Sequence, residues 1–357
     1  MSEISKKYAA VKKTHTWIGE PTISESTCPD GNGRYQHYKG GASIYWSPNT
    51  GAHLIYGLIR HKWALLGWEK SPHGYPTCDE SDAQSHKGRY NDFQNGTIIW
   101  KTGEAEAFSV YGDIYKKWGA TKWDVGELGF PVTDESGAPC GIGRYNHFEG
   151  GSIYWTPETG AHVIKGAIRG AWASQGYERG RLQYPISDEL VTEGSSGKGR
   201  HQQFEGGEVY WTPENGAKFN LYPVVKEEKK CNKNLSAGKV EASEIYVEIA
   251  NDGSWLFHAY LHDDSTWYGD SYAIGFVFEG DGHGRIMTGV LGATYSGPAK
   301  SADRTCSGKD PWLESCWHRA KGMRVHFSLH VSEDPTSAFS SVEKALEKYG
   351  PALIAII

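Results

Sequence analysis

An arginine next to an aromatic residue recurs at a constant spacing in the first 220 residues of this chain. A guanidinium group donates several hydrogen bonds in one plane, and an aromatic ring offers a face for C–H contacts. A site that binds the hydroxyl or carboxylate groups of a sugar needs both. The recurring motifs are Gly33-Arg34-Tyr35, Gly88-Arg89-Tyr90, Gly143-Arg144-Tyr145 and Gly199-Arg200-His201.

The same arginines have a second interpretation, because an adjacent Asp-Glu pair precedes each of the last three. In a packed repeat such an arginine commonly forms an ion pair, and we favour this role over sugar binding, which is retained as the alternative. Adjacent acids in an extended chain point to opposite sides, so they do not indicate the two facing carboxylates of a glycosidase. The acidic pairs are Asp79-Glu80, Asp134-Glu135 and Asp188-Glu189.

A second motif, an apolar residue two positions before a tryptophan, predicts a β-strand in each copy. Alternation along the strand puts each tryptophan on the apolar face, so Trp46, Trp100, Trp155 and Trp211 are predicted to be core. The residue between points to the other face, where an exposed ring would stack on a sugar. These candidates are Tyr45, Tyr154 and Tyr210, with Ile99 in the second copy, and His53 and His162 are further hydrogen-bonding candidates.

The motifs repeat every 54 to 56 residues, which defines a tandem array. The spacings predict four units at 2–56, 57–111, 112–165 and 166–220, within a domain spanning 1–221. Each unit reads as a short amphipathic helix, a glycine-rich bend with a turn proline, and a hairpin. One such unit cannot bury its aromatic face alone, so neighbouring units must stack. The prolines are Pro21, Pro76, Pro131 and Pro185.

The third unit resembles the LGFP repeat, known from bacterial cell-wall-associated proteins. It contains Leu128-Gly129-Phe130-Pro131, then Thr133-Asp134-Glu135, Gly143-Arg144-Tyr145, Gly150-Gly151 and Ile153-Tyr154-Trp155. The resemblance implies a ring-like array of units that holds a protein on cell-envelope polysaccharide, often beside an esterase or amidase domain. No hydrolase domain precedes the array in this sequence.

The other units depart from this pattern. The first has Ser24-Glu25 where the others have Asp-Glu, and the second runs Lys101-Thr102-Gly103 after Trp100 in place of a Thr-Pro turn. Unequal copies imply that the units need not all bind alike.

The array pattern stops after Phe219. Residues 222–238 contain the charged run 226–230 and are interpreted as a solvated linker. Residues 239–357 are predicted to form a β-rich, sandwich-like domain, because 244–261 and 324–331 alternate with period two. Ser340 and Glu343 form a capping box that predicts a C-terminal helix. The apolar end, 352–357, reads as a buried closing strand.

Two histidine pairs in this second domain share strand faces, and paired strands would bring four imidazoles together, which would suit a metal ion. Two solvated polar faces give the same pattern, and we favour that interpretation. No catalytic or nucleotide-binding motif is present, so we expect neither an enzyme nor a cofactor. The histidines are His258, His262, His326 and His330.

Composition bears on the partners and the cellular location of the protein. A net charge of −6 without blocks of like charge argues against nucleic-acid binding, and no apolar run suits a spanning helix. The first unit starts at Ser2 without an apolar leader, so we expect a cytoplasmic protein, or one released without a signal peptide. Thiols are then reduced by default, although Cys306 and Cys316 lie near enough in sequence to bridge in an oxidising medium.

The sequence therefore predicts a multivalent carbohydrate-binding, lectin-like protein that recognises polysaccharide or glycoconjugate glycans, by analogy in defence. The C-terminal domain would add homo-oligomerisation or a second binding activity. Two alternatives remain: a glycan-targeted toxin whose C-terminal domain acts on membranes or cells, and a cell-wall hydrolase.

Overall fold

The computed structural model describes residues 1–139, 141–192, 198–237, 240–263, 271–278, 286–294, 300–332, 341 and 352–356. The chain is mainly β-structure with short helices, as the sequence predicts. Each of the four units forms its own sheet, and the C-terminal region forms two more. Within the described ranges no strand pairing joins one sheet to another, so the array does not close into a barrel.

Every unit contains one helix, a short 3-10 turn and a four-stranded antiparallel meander in chain order. Unit one has α1 (Glu3–Val11), β1 (Ser26–Thr27), β2 (Arg34–His37), β3 (Ser43–Ser47) and β4 (Gly51–Ile55). Unit two has α2 (Gly57–Leu66), β5 (Ser81–Asp82), β6 (Gly88–Phe93), β7 (Gly96–Lys101) and β8 (Phe108–Tyr111). Unit three has α3 (Gly112–Ala120), β9 (Ser136–Gly137), β10 (Arg144–Phe148), β11 (Gly151–Thr156) and β12 (Gly160–Ile164). Unit four has α4 (Gly166–Ser174), β13 (Leu190–Val191), β14 (Arg200–Phe204), β15 (Gly207–Thr212) and β16 (Gly216–Leu221).

The helices of units two to four each begin at a glycine in the left-handed region, with φ of +58° at Gly57, +61° at Gly112 and +53° at Gly166. The chain passes from strand to helix within one residue here, and glycine takes that φ without strain. An isoleucine and a tryptophan four residues apart then fall on one helical face and are buried, as Ile59 and Trp63 are in unit two.

Each of these helices packs between its own sheet and the sheet of the preceding unit. In unit two the Trp63 ring lies 5.2 Å from the Phe93 ring of its own unit and 4.6 Å from the Tyr45 ring of unit one, between centroids. The cores around Trp118 and Trp172 also draw side chains from two units. Stacking therefore completes each core.

This stacking corrects the prediction for the candidate tyrosines. Tyr45 and Tyr154 do point away from the apolar-Trp face, but the helix of the next unit covers them and both are buried. Tyr210 has no following unit above it and is 38% exposed. The four tryptophans predicted to be core are instead only half-buried.

Two side chains of each following unit hold the last strand of the unit before it. Asp79 accepts a hydrogen bond from the Leu54 backbone N–H (2.9 Å), and Asn91 donates to the Leu54 carbonyl (3.2 Å). Lys7 of unit one also pairs with Asp79. We call this arrangement of Asp, Asn and Lys the inter-unit latch. It gives hydrogen-bond partners to both backbone groups of Leu54, a buried residue of the last strand of the sheet, and the Leu54 carbonyl also accepts from the Glu80 backbone N–H (3.3 Å).

The latch recurs with the same spacing at the next two junctions. Asp134 accepts from Ser109 N–H (2.9 Å), and Asp188 accepts from Val163 N–H (2.9 Å). The carbonyls of these two residues accept from Asn146 (3.1 Å) and Gln202 (2.8 Å). The lysines that complete these latches are Lys62 and Lys117.

The first and last units each lack one residue of the inter-unit latch. Ser24 stands at the aspartate position of unit one, which follows no other unit, and Ala171 stands at the lysine position of unit four. The departure at Ser24-Glu25 therefore falls at the aspartate position of the latch, which joins no junction in unit one.

The C-terminal region packs two sheets face to face. One contains β17 (Lys226–Lys230), β18 (Leu235–Ala237), β19 (Val240–Ala250), β20 (Ser254–Asp263) and β23 (Lys300–Lys309). The other contains β21 (Ser271–Phe278), β22 (Ile286–Thr294), β24 (Val325–Ser332) and β25 (Ala352–Ile356), the last pairing parallel with β22. Phe257 and Phe276 meet between the sheets, 4.9 Å apart, and α5 (Pro311–Ser315) and α6 (Trp317–Gly322) complete this region.

One expectation for this region is wrong, and the open question about its two cysteines is answered. The charged run 226–230 is no solvated linker, because it forms β17 and pairs antiparallel with β19. Charged side chains suit such an edge strand, since they discourage pairing with other chains. Cys306 is a free thiol, whereas Cys316 is disulfide-bonded, so these two cysteines do not pair.

The histidines fall on two different sheets. His258 and His262 lie on β20, and His326 and His330 lie on β24 of the opposite sheet. His258 stacks on Tyr246 at 4.8 Å. Among the described residues, one group of three side chains brings potential metal-ligand atoms within 4.8 Å of one another. It consists of Cys28, Asp30 and Glu69 and includes none of these histidines.

The capping-box helix predicted after Ser340 lies outside the described residues, apart from Ser341 at its start. Among the helices that are described, none is both long enough and apolar enough to span a membrane.

The latch predicts a pH-dependent contribution to stability at Asp79. Burial alone would raise the pKa of this carboxyl, but its contacts with His53, Lys7 and the Leu54 amide outweigh burial and lower the pKa to about 2. The contribution is then complete above the ordinary pKa of about 4 and is lost as the pH falls toward 2. We expect Asp79→Asn to lower the free energy of unfolding by about 1–2 kcal/mol at pH 7, as measured by urea denaturation, and by less at pH 3.

Ser24→Ala is the matched control, since it changes the same position in the unit that has no latch. It should alter stability by less than about 0.5 kcal/mol. A loss in Ser24→Ala as large as that in Asp79→Asn would show that the position stabilises its own unit and not the junction.

Candidate functional site

The four recurring arginines are each paired with a glutamate of the same unit. Arg34 Nε lies 2.5 Å from Glu25, Arg89 Nε 3.2 Å from Glu80, and Arg200 Nε 3.5 Å from Glu189. Arg144 pairs with Glu135 in the same way. The ion pair that the spacing favours is thus present in every unit, and it uses the second acid of the Asp-Glu pair because the first belongs to the latch.

A tyrosine from the preceding unit joins this pair at two junctions. Arg89 donates to the Tyr56 hydroxyl (3.1 Å), and Arg144 donates to the Tyr111 hydroxyl while its guanidinium lies 5.4 Å from the centre of that ring. In unit one Ser2 donates to Glu25 instead. Arg, Glu and the tyrosine therefore join two units at the point where one sheet ends and the next helix begins.

The glutamates of the inner units are deeply buried. The Glu80 side chain is 6% exposed, and burial raises its pKa to about 7 although Arg89 opposes the shift. Burial likewise raises the pKa of Glu135. One carboxylate oxygen of each, Oε2, is buried without a hydrogen-bond partner among the described residues. These oxygens retain the capacity to accept a hydrogen bond.

A groove runs beside the Arg–Glu pair, between the start of the helix and the half-buried tryptophan of β3 or its equivalent. In unit two it has a volume of about 240 Å³ and is lined by Tyr56, Gly57, Leu58, Ile59, Glu80 and Trp100. In unit four it has a volume of about 380 Å³, and Glu189, Arg200 and Trp211 line it together with the first residues of α4. We call this feature the Arg–Glu–Trp groove.

Glycine at the start of the helix keeps the groove open. A Cβ added at Gly57 or Gly166 would meet no atom within 4 Å, so the space above these residues is empty. The same glycine therefore allows the left-handed backbone at the start of the helix and leaves the groove above it open.

The other sequence-predicted residues lie elsewhere. His53 and His162 bond through Nε2 to the Thr50 carbonyl (2.7 Å) and the Thr159 carbonyl (2.8 Å). Their Nδ1 atoms lie 3.6 Å from Asp79 and Asp188, so both histidines belong to the latches. The buried Tyr45 and Tyr154 do not reach the groove. The sequence reasoning missed the tryptophans as groove walls, because alternation alone placed them in the core.

These observations define a class: a tandem array of helix-and-meander units that repeats one polar-aromatic groove. The LGFP repeat model matches the chain at residues 18–71, 74–126, 128–180 and 182–219. The chain belongs to the LGFP repeat family.

No curated protein matches the chain. The chain is similar to a solved structure described as the crystal structure of RRP9 WD40 repeats, at 13% identity over 67% of this chain and 61% of that one. The TM-score is 0.14.

The buried glutamate gives a second pH prediction. Since the pKa of Glu80 is raised to about 7, its contribution to stability is complete below the ordinary value of 4.5 and is lost as the pH rises through 7. We expect the free energy of unfolding of the wild type, relative to Glu80→Gln, to fall by about 1–3 kcal/mol between pH 4.5 and pH 8. Urea denaturation of the wild type and of Glu80→Gln at a series of pH values measures this difference in the free energy of unfolding.

Glu25→Gln provides the control at the same position of unit one. Burial would raise the pKa of Glu25, but hydrogen bonds from Ser2 and Arg34 lower it below 4.5. The difference between wild type and this variant should therefore stay constant over the same pH range. Parallel pH curves for the two variants would contradict the assignment of burial as the cause.

Proposed function

We propose that the array binds carbohydrate in the Arg–Glu–Trp grooves. The observation that carries this proposal is the groove of unit four, in which an ion-paired guanidinium and carboxylate, Arg200 and Glu189, face one open cavity together with the Trp211 ring. A sugar ring presents hydroxyl groups at its edge and C–H groups on its face. The groove offers partners for both in one place.

The chemistry of each component is distinct. The guanidinium donates to ring or hydroxyl oxygens, and the carboxylate accepts from hydroxyl groups, so that adjacent hydroxyls of one sugar are read together. The indole ring packs against the C–H face of the sugar and excludes water from it. Because Arg and Glu already hold each other, they are oriented before the ligand arrives, which reduces the entropy lost on binding.

Repetition supplies the affinity that a small groove lacks. The Glu, Arg and Trp residues recur in all four units on a fixed scaffold, so a polysaccharide or a clustered glycoconjugate can occupy several grooves at once. The units differ at this edge: Tyr56 lines the groove of unit two, Tyr111 stands at the equivalent position of unit three, and Lys165 lines the groove of unit four. Unit four is therefore proposed to tolerate a different substituent on the sugar.

A screen of the full chain on a glycan array identifies the sugar, and titration calorimetry with that glycan then tests the groove. We expect Trp211→Ala to weaken binding by about tenfold, because the stacking surface of unit four is removed. Arg200→Lys should weaken it by a similar factor, since the charge remains but the planar fork is lost.

Tyr210→Ala is the matched control. Tyr210 is adjacent to Trp211 on the same strand, is exposed, and points to the opposite face. Binding should be unchanged in this variant. If Tyr210→Ala abolished binding while Trp211→Ala preserved it, the site would lie on the open face of the last sheet, and the groove proposal would be wrong.

A further inference from the structure

The opposite face of each sheet holds a second set of recurring residues, outside the Arg–Glu–Trp grooves. At the junction of units one and two, the Tyr45 ring stacks between Tyr35 (5.3 Å) and Trp68 (5.7 Å), between centroids. The aromatic residue at Trp68 has a left-handed backbone, as have its counterparts Trp123 and Tyr177. All three junctions therefore place an aromatic residue with this backbone conformation at the same position.

The first of these stacks contains its own cation. The Arg60 guanidinium lies 5.2 Å from the centre of the Trp68 ring, and its Nε donates to Ser43 Oγ (2.6 Å). Burial lowers the pKa of Arg60, and no carboxylate of the described residues pairs with it. The third junction has Arg169 at this position and Tyr154 at the position of Tyr45. The aromatic rings thus stabilise a positive charge at the first junction.

The middle junction, between units two and three, differs at each of these positions. Tyr115 replaces the arginine, Asp92 replaces the histidine found at 37 and 147, and Ile99 replaces the buried tyrosine. A cavity of about 110 Å³ is present at this junction. It is lined by Gln84, Tyr90, Asp92, Thr97, Ile99, Tyr115, Trp118, Trp123 and Asp124.

Aromatic rings and two carboxylates line this cavity. Asp92 accepts a hydrogen bond from the Tyr115 hydroxyl (3.2 Å), and Asp124 accepts one from the Ser85 backbone (2.8 Å). Tyr115 and Trp123 are 4.7 Å apart and form one wall. None of the described residues that line the cavity is a lysine, an arginine or a histidine. Burial raises the pKa of Asp92, as expected for a carboxylate that lacks a cationic partner.

Compared with the first junction, the middle junction therefore has both an additional cavity and a more negative set of side chains. The cavity lies where Ile99 replaces the larger tyrosine, and Trp123, the counterpart of the ring that contacts a guanidinium at the first junction, lines it. The substitutions at 115 and 92 remove two basic groups and add an acid. A cavity of about 150 Å³ accommodates benzene in a protein core, so the space here suits a group slightly smaller than that.

We propose that the pocket between units two and three binds a small organic cation, such as the ammonium group of an amine, an amino sugar or a quaternary amine, against Trp123 and Asp92. The ligand takes the place that the Tyr45 ring occupies at the first junction, where Ile99 stands in the middle one. Aromatic faces and a carboxylate with little access to water are the groups that recognise such cations. The half-buried Tyr90 and Tyr115 would lie beside the bound cation, and the exposed Gln84 lies where the pocket meets solvent.

Calorimetry on the full chain tests this pocket with two matched pairs of probes. Choline is compared with its neutral isostere 3,3-dimethyl-1-butanol, and glucosamine with glucose. We expect saturable binding of the charged member that is at least about tenfold tighter than that of the neutral one. Binding of choline alone identifies a free or lipid-borne quaternary ammonium, and binding of glucosamine as well extends the site to amino sugars. If neither charged probe binds, or if the neutral isostere binds equally well, the proposal is wrong.

Two variants locate the site. Ile99→Tyr restores the ring that fills the other junctions and should abolish binding, and Asp92→Asn removes the charge with little change of shape and should weaken binding about tenfold. Binding that survives both variants would place the cation elsewhere and overturn the proposal. Neither residue lines the Arg–Glu–Trp grooves, so glycan binding should persist in both variants, and the two proposals can fail independently.

Discussion

The structure depends on the bonding of one backbone residue at the end of each unit. The last strand of a unit has no further strand on its outer edge. Leaving its buried N–H and C=O groups without hydrogen-bond partners would destabilise the folded state. The following unit supplies both partners through an aspartate and an amide side chain, and a lysine from the first unit neutralises the aspartate. The units are thus joined by hydrogen bonds that fix their relative position, and the apolar contacts follow from that position.

Fixing the position determines what lies at the surface. Each helix of units two to four is shared by two sheets, so the tyrosines between these sheets become core. The surface that remains available is the seam where one sheet ends and the next helix starts. Arg, Glu and Trp meet at this seam, which explains why side chains with ion pairs also line the largest grooves described here. The ion pairs of these arginines are therefore compatible with the binding role proposed for them.

Much of this could be predicted from the sequence. Constant spacing reveals the units, the alternation of residues reveals the strands, and the Asp-Glu pair upstream of the arginine indicates the ion pair. What could not be predicted is which face of a strand is buried, because the residues that cover Tyr45 belong to the next unit and alternation describes one strand at a time. The same limit applies to the middle junction. Positions 92, 99 and 115 are visibly different in the sequence, but only the packing of two units shows that they line one cavity.

The unequal ends of the array limit how such a protein can change in length. Units two and three each carry both halves of the latch, whereas unit one lacks the aspartate and unit four lacks the lysine. A duplicated inner unit would find matching partners on both sides and extend the stack by one groove. A copy of either end unit placed inside the stack would break a junction. Duplication or loss of an inner unit would therefore change the length of the array and keep every latch complete.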